Sequence, residues 1–237
     1  MQLKLQHGTL NLLILFVLAF LFQTVSPKMD FDYMKNMYIF YPDSINFRPW
    51  QIVTHIFSHG NTMHLLFNGL GILMFGNVIE KELGTKKFLL LFFISAAGAL
   101  LMHFATDAFQ FQKSFGSYFP VKEGVVAAIN YSPMCGASGA LYGIIVAFGF
   151  YFPNQKMYFI LIPYPIKAKY LVPGIIAMDL FLGIGGFEGD PIAHFAHLGG
   201  AITGFIIVKF WFSKYLKRGW QCFQKTILYH LGHNIRQ

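Results

Sequence analysis

The sequence is short of charge. Only 12% of its 237 residues are Asp, Glu, Lys or Arg, where a soluble domain carries about 25%. That leaves too little polar surface to coat a globule. Cysteine is nearly absent as well. Cys135 falls in an expected external loop and Cys222 in an expected internal tail, so no disulfide scaffold is indicated. There is no internal repeat and no low-complexity tract. Acids are scarce, 10 against 18 Lys and Arg. The resulting net charge of +8 does not point to nucleic acid, because the basic residues fall in short connectors and the tail rather than on one soluble face. What is abundant is apolar: 55% hydrophobic residues, 18% aromatic, with 28 Phe in long runs. Such a chain takes the lipid bilayer as its solvent.

A span needs about 20 mostly apolar residues to cross roughly 30 Å of hydrocarbon. The runs predict an all-α, polytopic bundle of six helices over about 9–26, 62–80, 86–106, 138–152, 169–185 and 191–212. The first apolar stretch, Leu10 to Val25, lacks a small-x-small cleavage pattern and is read as a retained helix rather than a signal peptide. The fourth helix is short, because Pro153 ends it by lacking an N–H and clashing with the preceding turn. Lys4, Lys81, Lys86, Lys87, Lys156, Lys167, Lys169 and the tail cluster Lys209 to Arg236 collect on one side, against Lys28, Lys35, Arg48, Lys113 and Lys122 on the other. By the positive-inside rule both termini are expected in the cytoplasm. The chain reads as one membrane domain over 1–237, with its core at about 45–212 and a basic tail at 213–237 on the inner membrane surface.

Polar residues inside spans are costly and need a partner or a task. Four stand out: His64 and Asn68 on the second helix, Ser138 at the start of the fourth, and His197 on the sixth. Helix rise is about 1.5 Å per residue. Measured inward from the outer end, Ser138 then lies about 8 Å deep, His197 about 10 Å below a start at Asp190 and Pro191, and His64 and Asn68 roughly 6–12 Å deep. Three spans thus bring polar groups to one level. A serine hydroxyl is a weak nucleophile until a base takes its proton, and histidine suits that task near neutral pH. At a helix start, Ser138 has unpaired N–H groups and the positive dipole end beside it to meet an oxyanion. His64 and Asn68, at i and i+4, can project toward the same point. Losing one such donor typically costs about 3–4 kcal/mol of transition-state stabilisation. Gly139 with Gly143, and Gly200 with Gly204, are small-residue pairs that let two helices approach closely. Tyr142, one turn after Ser138, could pack under the His197 ring. No carboxylate is expected to complete a triad, which leaves a Ser138–His197 dyad.

Those residues carry a resemblance. Gly136-Ala137-Ser138-Gly139 followed by Tyr142 resembles the GxSG-x-x-Y signature of the rhomboid intramembrane serine proteases. Ala196-His197-Leu198-Gly199-Gly200, then Gly204, is similar to their sixth-helix segment, and His64 to Asn68 to their second-helix H-x-x-x-N. Pro49-Trp50 with Thr54, His55 and His59, and Glu80 to Gly84, add supporting matches in the same order. Many members carry Arg after the loop Trp, where this chain has Gln51. The resemblance implies a six-helix rhomboid-type bundle, Ser138 as nucleophile, His197 as general base, and an oxyanion hole from His64, Asn68 and Ser138. It implies no metal and no cofactor. Substrates would be single-pass membrane proteins, cut near the outer leaflet, with the fifth helix and following loop gating entry beside Phe67.

Other readings compete. A non-enzymatic binder on the same fold would usually lack the nucleophile or the base, and both are present. A diiron lipid oxidase needs more histidines on the cytoplasmic side. His194, three residues before His197, is read as a loop contact rather than half of a metal pair. His55 and His59 look structural, His103 and Asp107 sit at an outer helix end, and Asp179 receives no catalytic role. Short loops, with no transit peptide or appended soluble domain in view, suggest a bacterial inner membrane.

Overall fold

A computed structural model of the chain describes residues 5–125, 133–159, 162–185 and 193–211. The long helices are α1 (His7–Val25), α2 (Thr62–Leu83), α3 (Thr85–Phe115), α4 (Ser138–Tyr151), α5 (Ala168–Gly185) and α6 (194–211). Four of them, α1, α2, α3 and α5, are long and apolar enough to cross a membrane, and α4 is shorter. The protein is an all-α integral membrane protein. The expected Asp190–Pro191 helix start, the basic tail 213–237 and Cys222 lie outside the described residues.

α4 forms the centre. Nine of its fourteen residues, from Gly139 to Phe148, are buried, as expected for a helix that is apolar all round. Around it Ile72, Ile79, Phe88, Leu91, Phe92 and Val208 are fully buried. The surrounding helices turn large side chains outward, among them Ile14, Leu18, Leu101, Phe181, Ile184 and Ile206. Such an apolar exterior is stable only against lipid.

The end of the bundle where α1 begins is tied by one buried carboxylate. Glu80 accepts hydrogen bonds from the Gly8 N–H (2.7 Å), the Thr9 N–H (2.7 Å), the Thr9 hydroxyl (2.8 Å) and the Thr85 hydroxyl (2.7 Å). The first turn of α1 therefore sits on an anion, the arrangement its unpaired N–H groups and dipole favour. A side chain at Gly8 would press on the same carboxylate.

Three features differ from the sequence expectation. First, α3 runs to Phe115, nine residues beyond the expected 106, because Phe104 and Phe111 continue the helical stripe and pack on Tyr41. Gly116, at φ 68°, ends it. Second, the segment after Pro153 is a β-hairpin, β1 (Lys156–Phe159) against β2 (Ile162–Lys167), with Lys156 opposite Lys167. Two prolines fit β2 because a two-stranded ribbon leaves one edge of each strand unpaired. Third, the connector 27–61 is ordered by side-chain hydrogen bonds. The amide Nε2 of the buried Gln51 donates to the carbonyls of Lys35 (2.7 Å) and Asn46 (3.0 Å), and its Oε1 accepts from the Arg48 N–H (3.0 Å). The Trp50 indole donates to the Asn36 carbonyl at 2.8 Å. Gln51 thus has a structural task of its own. Burial pushes the His55 and His59 imidazoles down to about 4, so both rings are neutral packing groups near neutral pH.

Replacing Glu80 by Gln leaves one acceptor oxygen where four donors converge. Glu80→Gln is expected to lose about 1–3 kcal/mol of stability, read as a lower unfolding midpoint of the detergent-solubilised protein. An unchanged midpoint would contradict the assigned role of this tie.

Candidate active site

The first turn of α4 and the second turn of α6 meet beside the middle of α3, at Ser95 and Ala99. Gly139 lies so close to Ala99, and Gly143 to Ser95, that neither position has room for a Cβ. From α6, a Cβ at Gly200 would strike the carbonyl of Gly139, and one at Gly204 would meet Gly143. Backbone touches backbone along this seam, as small residues permit in membrane helices.

At the end of the seam where α4 begins, Ser138 Oγ and His197 Nε2 are 2.7 Å apart. The Tyr142 ring stacks on the His197 ring with centroids 4.4 Å apart and an interplanar angle of 12°. His197 is 8% exposed, yet it lines a cavity of about 990 Å³ that also reaches Ser138, His64, Asn68 and Phe67. The Ser138–His197 pair is therefore largely buried and yet lines a cavity.

Gly136 leads into Ser138. Its φ of 111° belongs to the region that disfavours side chains, and a Cβ there would lie 2.6 Å from the His64 ring. Only glycine meets both demands. Its N–H donates to the His55 carbonyl at 2.8 Å, and two hydrogen bonds of 3.0 Å between Ile39 and Met134 hold the preceding residues. The first connector thereby braces the approach to Ser138.

His64 and Asn68 line the same cavity one turn apart on α2. The His64 Nδ1 accepts from the Gly60 N–H at 3.3 Å, which assigns the proton to Nε2, beside Gly136. The Asn68 Nδ2 donates to the His64 carbonyl at 2.9 Å, and its Oδ1 is buried without a partner among the described residues. Asn68 has one further N–H to offer the cavity.

One group was not foreseen. Asp179 of α5 brings Oδ2 to 3.0 Å from His197 Nδ1 and Oδ1 to 2.7 Å from His194 Nδ1. The expectation that no carboxylate stands near the Ser–His pair is corrected, and so is the reading of His194 as a loop contact. The signal was in the sequence: a lone acid in an apolar span requires a partner, and His194 and His197 at i and i+3 share one helix face. Ligand atoms of Asp179, His194 and His197 all lie within 4.8 Å of one another, although hydrogen bonds already join them. Farther out, His103 and Asp107 on α3 pair at 3.6 Å.

The rhomboid domain family matches residues 46–214. The chain belongs to the rhomboid family. Among curated rhomboid relatives, it is 28% identical to the rhomboid protease AarA of Providencia stuartii over 213 residues, covering 84% of this chain and 70% of that protein. It is 29% identical to the mitochondrial rhomboid protein 1 of Saccharomyces cerevisiae over 171 residues, covering 70% of this chain and 43% of that protein. Against the rhomboid protease GlpG of Klebsiella pneumoniae the identity is 30% over 168 residues, 69% of this chain and 49% of that protein. The chain thus spans about half the length of the latter two relatives. Within this rhomboid fold, the matched region holds all of α2 to α6.

The seam yields a direct test. Gly200→Ala is expected to cost about 1–3 kcal/mol through overpacking and to lower the unfolding midpoint by several degrees. Gly174→Ala on α5, where nothing lies within 4 Å of a new Cβ, should not lower it. Equal midpoints for the two variants would contradict the close approach of α4 and α6.

Proposed function

We propose that this rhomboid protein is an intramembrane serine protease that uses Ser138 and His197 as its catalytic dyad. The observation that carries the reading is the 2.7 Å contact between Ser138 Oγ and His197 Nε2 at the wall of an accessible cavity. In the bilayer, water and a polypeptide reach a nucleophile only through such a recess.

In the proposed reaction, His197 Nε2 takes the hydroxyl proton as Ser138 Oγ attacks the scissile carbonyl. The oxyanion forms against the start of α4, where the backbone N–H of Ser138, the His64 ring and the Asn68 amide supply donors. His197 then returns its proton to the departing amine, leaving an acyl-enzyme. A water deprotonated by the same imidazole completes hydrolysis and frees Ser138. Tyr142 fixes the plane of the base, and Gly136, Gly139, Gly200 and Gly204 set the distances.

The proposed substrates are single-pass transmembrane proteins, cleaved near the outer leaflet and entering between Phe67 on α2 and the α5 side of the site. Their cut segment must leave helical structure to present a carbonyl to Ser138, because an α-helix keeps its carbonyls bonded internally. We further infer six spans in one membrane domain, both termini cytoplasmic, in a bacterial inner membrane. The Lys and Arg distribution and the six apolar runs support that arrangement.

The test is cleavage of a model single-pass substrate by protein reconstituted in liposomes. Ser138→Ala and His197→Ala are each expected to reduce cleavage at least about 10³-fold, with unfolding midpoints close to that of the parent. Cleavage that survives in Ser138→Ala would rule the mechanism out.

A further inference from the structure

We propose that Asp179 is the positioning residue of His197, so that the reacting group is a chain from Ser138 through His197 to Asp179, held at its far end by His194. This inference rests on the proteolytic reading and extends it from two residues to four.

An imidazole has two nitrogens and, when neutral, one proton. To accept the proton of Ser138, Nε2 must be bare, so the ring proton must sit on Nδ1. The acceptor at Nδ1 decides which form prevails. Asp179 Oδ2 stands there at 3.0 Å while Nε2 faces Ser138 Oγ at 2.7 Å. The two contacts lie at opposite nitrogens of one ring, the arrangement a general base needs. Stacking on Tyr142 fixes the plane of the ring. Asp179 fixes its rotation within that plane and stabilises the imidazolium formed as the hydroxyl proton arrives.

The carboxylate is itself fixed. Its second oxygen is 2.7 Å from His194 Nδ1, and His194 is 6% exposed. His194 and His197 are neighbours on α6, so the two rings grip the two oxygens from one helix face. Gly183, one turn after Asp179, packs against the Cβ of His194 without room for a side chain. That close approach lets the short Asp179 side chain reach across. Asp179 is also the one buried residue in the second half of α5 among the described residues, whereas Met178, Phe181 and Ile184 are 60–71% exposed. A carboxylate in the outward-facing, apolar second half of this helix is costly in a membrane. Its two bonds to α6 account for its presence.

The experiment measures kcat and KM for cleavage of the model substrate by reconstituted full-length protein, with a chelator present. Asp179→Asn can hold the ring but can also offer its NH2 to Nδ1 and select the wrong tautomer. It is expected to lower kcat about 10²-fold or more, with KM within about threefold and the unfolding midpoint retained. Asp179→Glu, which keeps the acceptor, is expected to recover part of kcat. A merely structural role predicts the reverse, with lost stability and no rescue by Glu, and that outcome overturns the proposal. So does an Asp179→Asn protein with kcat within about threefold of the parent, or a parent whose activity disappears on chelation. Should Asp179→Asn not fold, His194→Gln carries the test by leaving Asp179 in place with one holder fewer. A drop in kcat of about three- to tenfold at constant KM supports the chain, and an unchanged kcat overturns it. Ser138→Ala is assayed alongside. If it cleaves, the proteolytic reading fails and takes this inference with it. If it is inactive while Asp179→Asn is not, only the role of Asp179 falls.

Discussion

A hydroxyl on one helix and an imidazole on another can share a hydrogen bond only if the two backbones nearly touch. Ordinary helices pack 8–10 Å apart, and the seam between α4 and α6 has no side chains at all where Gly139 meets Gly200 and Gly143 meets Gly204. Ala99 and Ser95 of α3 press on the same two glycines of α4 and complete the slot. Everything at the site follows from this constraint. α4 is buried and short, so its first residue opens inside the protein rather than at its surface. α6 presents His197 at that level, and Tyr142 holds the ring flat.

Around the seam the protein spends polar groups sparingly. Glu80 ties the start of α1 to the C-terminal end of α2, and Gln51 orders the first connector. That connector braces Gly136 through the His55 carbonyl. Each is a buried or half-buried polar side chain with several partners. The cost of a single unsatisfied group in such surroundings is about 1–3 kcal/mol. The polar cluster at the site differs in kind, because it opens into a cavity and joins three helices through Ser138, His197 and Asp179.

Much of this was legible in the sequence. Long apolar runs cannot be hidden in a chain with 12% charge, so the helices other than the ends of α3 and α6 begin and stop within about three residues of expectation. Ser138, His197, His64 and Asn68 were conspicuous because a polar residue in an apolar run is rare, and depth could be counted from either end of each run. Asp179 was conspicuous for the same reason, but α5 is apolar on every side. Periodicity therefore gave no inward face, and the acid could not be matched to a partner. The extension of α3 was hidden by its polar residues, Asp107, Gln110, Gln112, Lys113 and Ser114, which interrupt the apolar run. Pro163 and Pro165 masked β2, since proline is read first as a breaker of strands.

The account depends on Ser138 being a reactive nucleophile rather than a small residue at a crowded helix start. The most direct measurement is to treat the membrane-reconstituted protein with a serine-directed fluorophosphonate and map the adduct by mass spectrometry. The account predicts a single covalent adduct on the peptide containing Ser138, absent from the His197→Ala protein. No adduct on that peptide, or equal labelling with and without the imidazole, would contradict it.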